Sequence, residues 1–121
     1  FGHPRDPFHR VDARRSSRHV VVRVHESGEV LAEGDRPVAL NETGLPTRWY
    51  LPLGDVRKES LVPSDTETVC PYKGVATYWS VSAAGHTFTD AVWTYREPLP
   101  EATPVAEYVC FMADGITTEV S

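Results

Sequence analysis

Cysteine is scarce in this 121-residue chain: Cys70 and Cys110 are the whole supply. A disulfide scaffold needs more, so the expected compartment is the cytoplasm, with both thiols reduced. Paired Cys-x-x-Cys motifs are missing, and without them no structural zinc is expected. No apolar run approaches the roughly 18 residues of a membrane span, and no segment has the charged-then-apolar order of a signal peptide. Basic charge is also short. Twelve Lys and Arg stand against 17 Asp and Glu, a formal net charge of -5, which argues against a general nucleic-acid-binding face. There is no Asp-x-Asp pair to hold catalytic metal ions and no Gly-rich loop to cradle a phosphate. Internal repeats and low-complexity segments are missing as well. Neither a metal nor a cofactor is expected.

What the chain does have is turn residues and short alternating segments. Ten Pro and eight Gly punctuate a sequence that is 40% hydrophobic and 24% charged, ordinary values for one soluble domain with a single core. Residues 1–18 read as an irregular arm rich in Pro, Arg and His, and residues 19–121 as one domain. Within the arm, His3 and His9 with Asp6 and Asp12 invite a metal reading, but their spacing matches no tetrahedral template. A chain beginning at Phe1 is expected to be a processed product or a piece of a longer protein, with an upstream domain of the same chain among its partners.

From His19 onward the period is that of half-buried strands. Val20, Val22 and Val24 share one face, Glu26-Ser27-Gly28 turns, and Glu29 to Glu33 returns. Arg36 to Asn41 buries Val38 and Leu40. In Thr47 to Leu51, Trp49 and Leu51 point to the core and Arg48 and Tyr50 to the other side. Gly54 to Glu59 allows a single helical turn capped by Asp55, and Pro63-Ser64-Asp65 reads as a turn. Val75, Thr77, Trp79 and Val81 share a core face, opposite Ala76, Tyr78 and Ser80. A turn near Ala83 to His86 leads to a short strand at Phe88. Thr89-Asp90 then interrupts before Ala91 to Tyr95. Glu101 to Tyr108 holds a short helix, and Tyr108 to Met112 with Ile116 to Val120 forms a last pair of strands. Many short strands with one short helix predict an all-β sandwich or barrel.

The stretch around Cys70-Pro71-Tyr72-Lys73-Gly74 carries the most chemistry. Pro71 and Tyr72 as central turn residues make Cys70 and Lys73 its outer pair. An amine that close favours the thiolate of Cys70. Two readings stand side by side: a nucleophile or ligand clamp built on Cys70 and Lys73, or a small buried cysteine beside a solvated turn lysine. Seven of the eight Trp and Tyr residues lie between Trp49 and Tyr95. They suggest a pocket for an anionic or carbonyl metabolite, lined by Arg48, Tyr50, Lys73, Tyr78, Trp93 and Tyr95, with Glu42 and Cys70 nearby. The same aromatics also suit a plain core. An enzyme using Lys73 as an imine-forming amine, or Cys70 as a nucleophile, is the second hypothesis. A protein-interaction module without a ligand is the third.

Three stretches resemble the family known as domain of unknown function 427: Glu42-Thr43-Gly44-Leu45-Pro46-Thr47-Arg48-Trp49-Tyr50, then Cys70-Pro71-Tyr72-Lys73-Gly74, then Ala91-Val92-Trp93-Thr94-Tyr95 with Pro98-Leu99-Pro100. Trp49 stands where a Tyr is usual, and Thr94 where a Ser is common. The arm is similar to the segment that precedes the second copy in tandem members. The resemblance implies a compact β-tent of the kind shared with Mss4-like proteins and B-type methionine sulfoxide reductases. A nucleotidyltransferase label sometimes attached to the family lacks its carboxylates and phosphate loop here.

Overall fold

The computed structural model describes residues 9–71 and 73–121. Among these residues ten antiparallel strands form two sheets: β1 (Val11–Arg15), β2 (Val20–Val24), β3 (Val30–Gly34), β4 (Val38–Glu42), β5 (Arg48–Pro52), β6 (Leu61–Cys70), β7 (Gly74–Ala83), β8 (His86–Tyr95), β9 (Tyr108–Phe111) and β10 (Ile116–Val120). The larger sheet runs β1-β4-β5-β9-β8-β7-β6, and the smaller runs β10-β2-β3. The expected all-β class is the class observed. Helical structure among the described residues is confined to three 3-10 segments, Leu53–Asp55, Lys58–Ser60 and Pro100–Val105.

The period of two decides where the side chains go. On β5, Trp49 and Leu51 meet Val22, Val24, Leu31, Val92 and Val109 between the sheets. Tyr50 joins Val38, Leu40, Tyr95, Val105 and Cys110 on the other face. Strands buried on both sides are held by two cores. Each fully enclosed aliphatic side chain contributes about 1.5–3 kcal/mol from removal of its surface from water.

Several sequence expectations change. The stretch Val11–Arg15 of the supposed arm is a strand paired with β4, from Val11 opposite Glu42 to Arg15 opposite Val38. Val11 and Ala13 pack on the second core, a two-position alternation too short to register as a pattern. The expectations on His3 and Asp6 lie outside the described residues. Pro63-Ser64-Asp65 is not a turn, and Thr89-Asp90 does not end a strand: both are bulges inside ten-residue strands. Asp90 takes a left-handed φ of 52°, and its carboxylate accepts from Ser64 Oγ and from Thr66 Oγ1 at 2.7 Å. Both bulges are thus clasped side by side, and the strands continue past them.

The helical turn expected over 54–59 is two 3-10 turns, and Asp55 ends the first instead of capping it. Its side chain lies where a Cβ on Gly34 would have to go. The last two strands do not pair with each other. β9 sits between β5 and β8, while β10 crosses to the small sheet beside β2, because Ile116 and Val120 pack against the core between the sheets. Val75 is not core: with its cross-strand partner Val69 it is 45% and 77% exposed, respectively.

Candidate functional site

The second core ends in a charged cluster at the turn joining β6 to β7. The Lys73 amide donates to the Cys70 carbonyl at 3.3 Å, which makes these two the outer residues of the turn, as expected. Gly74 follows with a φ of 118°, and a Cβ there would approach the Glu97 carbonyl oxygen at 3.2 Å. Only glycine combines that dihedral with so close a strap of backbone. The strap is fixed by the Leu99 amide, which donates to the Lys73 carbonyl at 2.8 Å. Two stretches far apart in sequence therefore hold the lysine in place.

Lys73 Nζ donates to Glu42 Oε1 at 2.6 Å, with the two side chains 12% and 8% exposed. Glu42 Oε2 accepts a second hydrogen bond, from His9 Nε2 at 2.8 Å. Burial by itself raises the pKa of Glu42, but the hydrogen bonds and charges of Lys73 and His9 outweigh it, leaving the carboxyl below its ordinary value. The Lys73 ammonium also lies 5.8 Å from the centroid of the Tyr95 ring, within reach of its electron-rich face.

His9 is the site residue that sequence reasoning did not place. It precedes β1, and the Arg10 carbonyl accepts from the Thr43 amide at 3.0 Å while the Arg10 amide donates to Thr43 Oγ1 at 2.7 Å. Those bonds set the histidine against Glu42, whereas the sequence singled it out only in a metal reading with His3, Asp6 and Asp12.

The same core carries a group of packed aromatic side chains. The indole of Trp93 donates to Tyr50 Oη at 3.0 Å and meets that ring edge-on, with centroids 6.4 Å apart. Tyr78 is tilted against Trp93 at 6.4 Å, and its hydroxyl hydrogen-bonds Thr68 Oγ1 at 2.9 Å. Burial drives the phenols of Tyr50 and Tyr95 well above their ordinary range, reinforced by Cys110 near the first and Cys70 near the second. Both stay neutral. Burial likewise pushes the Cys110 thiol up to about 12. Cys70 is half-buried against this same cluster.

Of the eight residues expected to line one pocket, Glu42, Lys73 and Tyr95 meet directly. Cys70, Tyr78 and Trp93 pack on the same core as Tyr95. Tyr50 is completely enclosed and supports Trp93 from beneath. Arg48 stands apart: it lines a cavity of about 380 Å³ whose lining includes none of the other seven. Among the described residues no cluster of three or more His, Cys, Asp or Glu is placed to hold a metal ion.

Fold and site together define an all-β domain with a buried acid–amine pair at the mouth of an aromatic core. The chain belongs to the family described as Domain of unknown function (DUF427), whose model matches residues 12–121. No curated protein matches the chain. The three stretches that carry the resemblance supply Glu42, Lys73 and Tyr95, so their meeting point is this cluster.

Proposed function

We propose that the domain binds a small anionic or carbonyl metabolite at the Lys73–Glu42 pair. The observation that carries this reading is the burial of that pair. Two charges withdrawn from water repay their desolvation poorly, and apolar side chains of similar volume would hold the fold at least as well. The charges therefore point to a task beyond stability. Lys73 carries three ammonium hydrogens and gives one to Glu42. The others are donors for a carboxylate, phosphate or polar carbonyl oxygen. Glu42 fixes the position of the amine, and His9 fixes the orientation of Glu42. Tyr95, Tyr78 and Trp93 supply the apolar walls that binding sites use to exclude water.

Thermal-shift screening of wild type and Lys73→Ala against metabolites bearing those groups tests the proposal. A ligand at about 100 times its dissociation constant adds about 2.7 kcal/mol to a folded protein that alone binds it. The expected outcome is a stabilising compound in wild type whose effect disappears in a folded Lys73→Ala. Stabilisation that persists undiminished in the variant would reject this site.

A further inference from the structure

The strand register opens a second hollow, whose lining excludes Lys73, Glu42 and Tyr95. Strands β5 and β9 pair only at Leu51 with Val109 and Pro52 with Tyr108. Before Leu51, β5 follows β4, with Trp49 opposite Ala39 and Arg48 opposite Leu40. Past Val109, β9 follows β8, with Phe111 opposite Val92. The two strands consequently part between Trp49 and Phe111, and Ile116 and Thr118 of β10 line the gap from the other sheet. The resulting cavity of about 380 Å³ lies within the size range of metabolite sites, roughly 300–1,000 Å³.

Its chemistry is asymmetric. Arg48 is a half-buried residue on the lining, and no described side chain offers its guanidinium a hydrogen bond or an ion pair. A planar fork of donors without a protein acceptor matches a carboxylate, which it can hold through two parallel bonds. Trp49 and Phe111 give the cavity aromatic walls, suited to an apolar body. Asp114 is an exposed acid on the same lining. It repels a second acidic group and attracts a cationic one.

From this we infer that the cavity binds a small organic carboxylate with an apolar body, the carboxylate on Arg48 and the body against Trp49 and Phe111. An aromatic amino acid, whose ammonium group can face Asp114, fits better than a dicarboxylate. The site is separate from the one proposed at Lys73, and neither depends on the other.

Titrating phenylalanine and 3-phenylpropionate into isotope-labelled protein, and following the Trp49 indole and Arg48 side-chain NMR signals, tests the inference. Saturable shifts are expected in wild type and in Lys73→Ala. In Arg48→Gln the affinity should fall by about tenfold or more, the loss of a charge-assisted pair. Thr118→Trp, which leaves Arg48 intact and fills the cavity from β10, should abolish the shifts. Absence of saturable shifts in wild type overturns the inference, as does equal affinity in either cavity variant. Loss of binding in Lys73→Ala with retention in Arg48→Gln would assign these ligands to the Lys73 site instead and reject the cavity.

Discussion

The two faces of the larger sheet are built by the same strands and stabilised by different physics. Toward the small sheet, Leu51, Val81, Val92 and Val109 meet Val22, Val24 and Leu31, a contact dominated by aliphatic surface. On the opposite face, Tyr50, Tyr95 and Cys110 meet Trp93 and Tyr78. There the Trp93 indole donates to Tyr50 Oη and the Tyr78 hydroxyl bonds Thr68 Oγ1. Thr94, across from Val109 on the aliphatic side, is satisfied locally: its hydroxyl donates to the Tyr108 carbonyl at 2.7 Å, a bond a serine at that position could also make. The first core depends mainly on volume and shape. The second needs each donor aimed at its acceptor, and it is the one that ends in the Lys73–Glu42 pair.

Mutations on the two faces should therefore behave differently. Leu51→Ala, in the aliphatic core, is expected to produce the largest loss, about 3 kcal/mol from lost transfer energy and the cavity left behind, read as a lowered urea midpoint. It should act the same at pH 7 and at acid pH.

Glu42→Gln is expected to cost about 2 kcal/mol at pH 7, since it leaves the Lys73 charge enclosed without its counter-charge. This cost should depend on pH. The folded-state pKa of Glu42 lies below the ordinary 4.5, so its contribution is complete above that value and disappears as the pH falls through the lowered one. Urea midpoints of wild type and Glu42→Gln should converge on acidification. A gap that stays constant to pH 3 would contradict the ion-pair account. Replacing both partners, Glu42→Leu with Lys73→Met, should restore most of the stability while removing the proposed ligand response, which separates a structural pair from a functional one.

The smallest of these effects is expected at the turn. Gly74→Ala forces a side chain into a left-handed conformation against the Glu97 backbone, at a cost of about 1 kcal/mol or more. If Gly74 positions Lys73 as well as the chain, the variant should also weaken the ligand response of wild type. Unchanged response alongside reduced stability would confine its role to the fold.

Much of this arrangement was legible before any coordinates. The alternation in Arg48 to Leu51 assigned Trp49 and Leu51 to one core and Tyr50 to the opposite face, and the Pro71 turn made Cys70 and Lys73 neighbours. Those are local consequences of strand pleat and turn geometry. Illegible were the bulges at Ser64 to Thr66 and at Asp90, because a Pro, Ser or Asp inside a strand looks the same as one in a turn until a neighbouring strand supplies its partner. The Asp90 carboxylate is that partner for Ser64 and Thr66. His9 was hidden for a similar reason: its bond to Glu42 spans 33 positions of sequence.

By itself, then, the sequence determined the all-β class, the turn that sets Lys73 next to Cys70, and the division of each strand into two faces, all of which follow from the stereochemistry of a few consecutive residues. Tertiary structure alone decided that Glu42 would neutralise Lys73, that His9 would complete the cluster, and that Arg48 would face a different hollow. Those outcomes depend on which strands lie side by side and where they part, and pairing between distant segments is set by the packing of the whole chain.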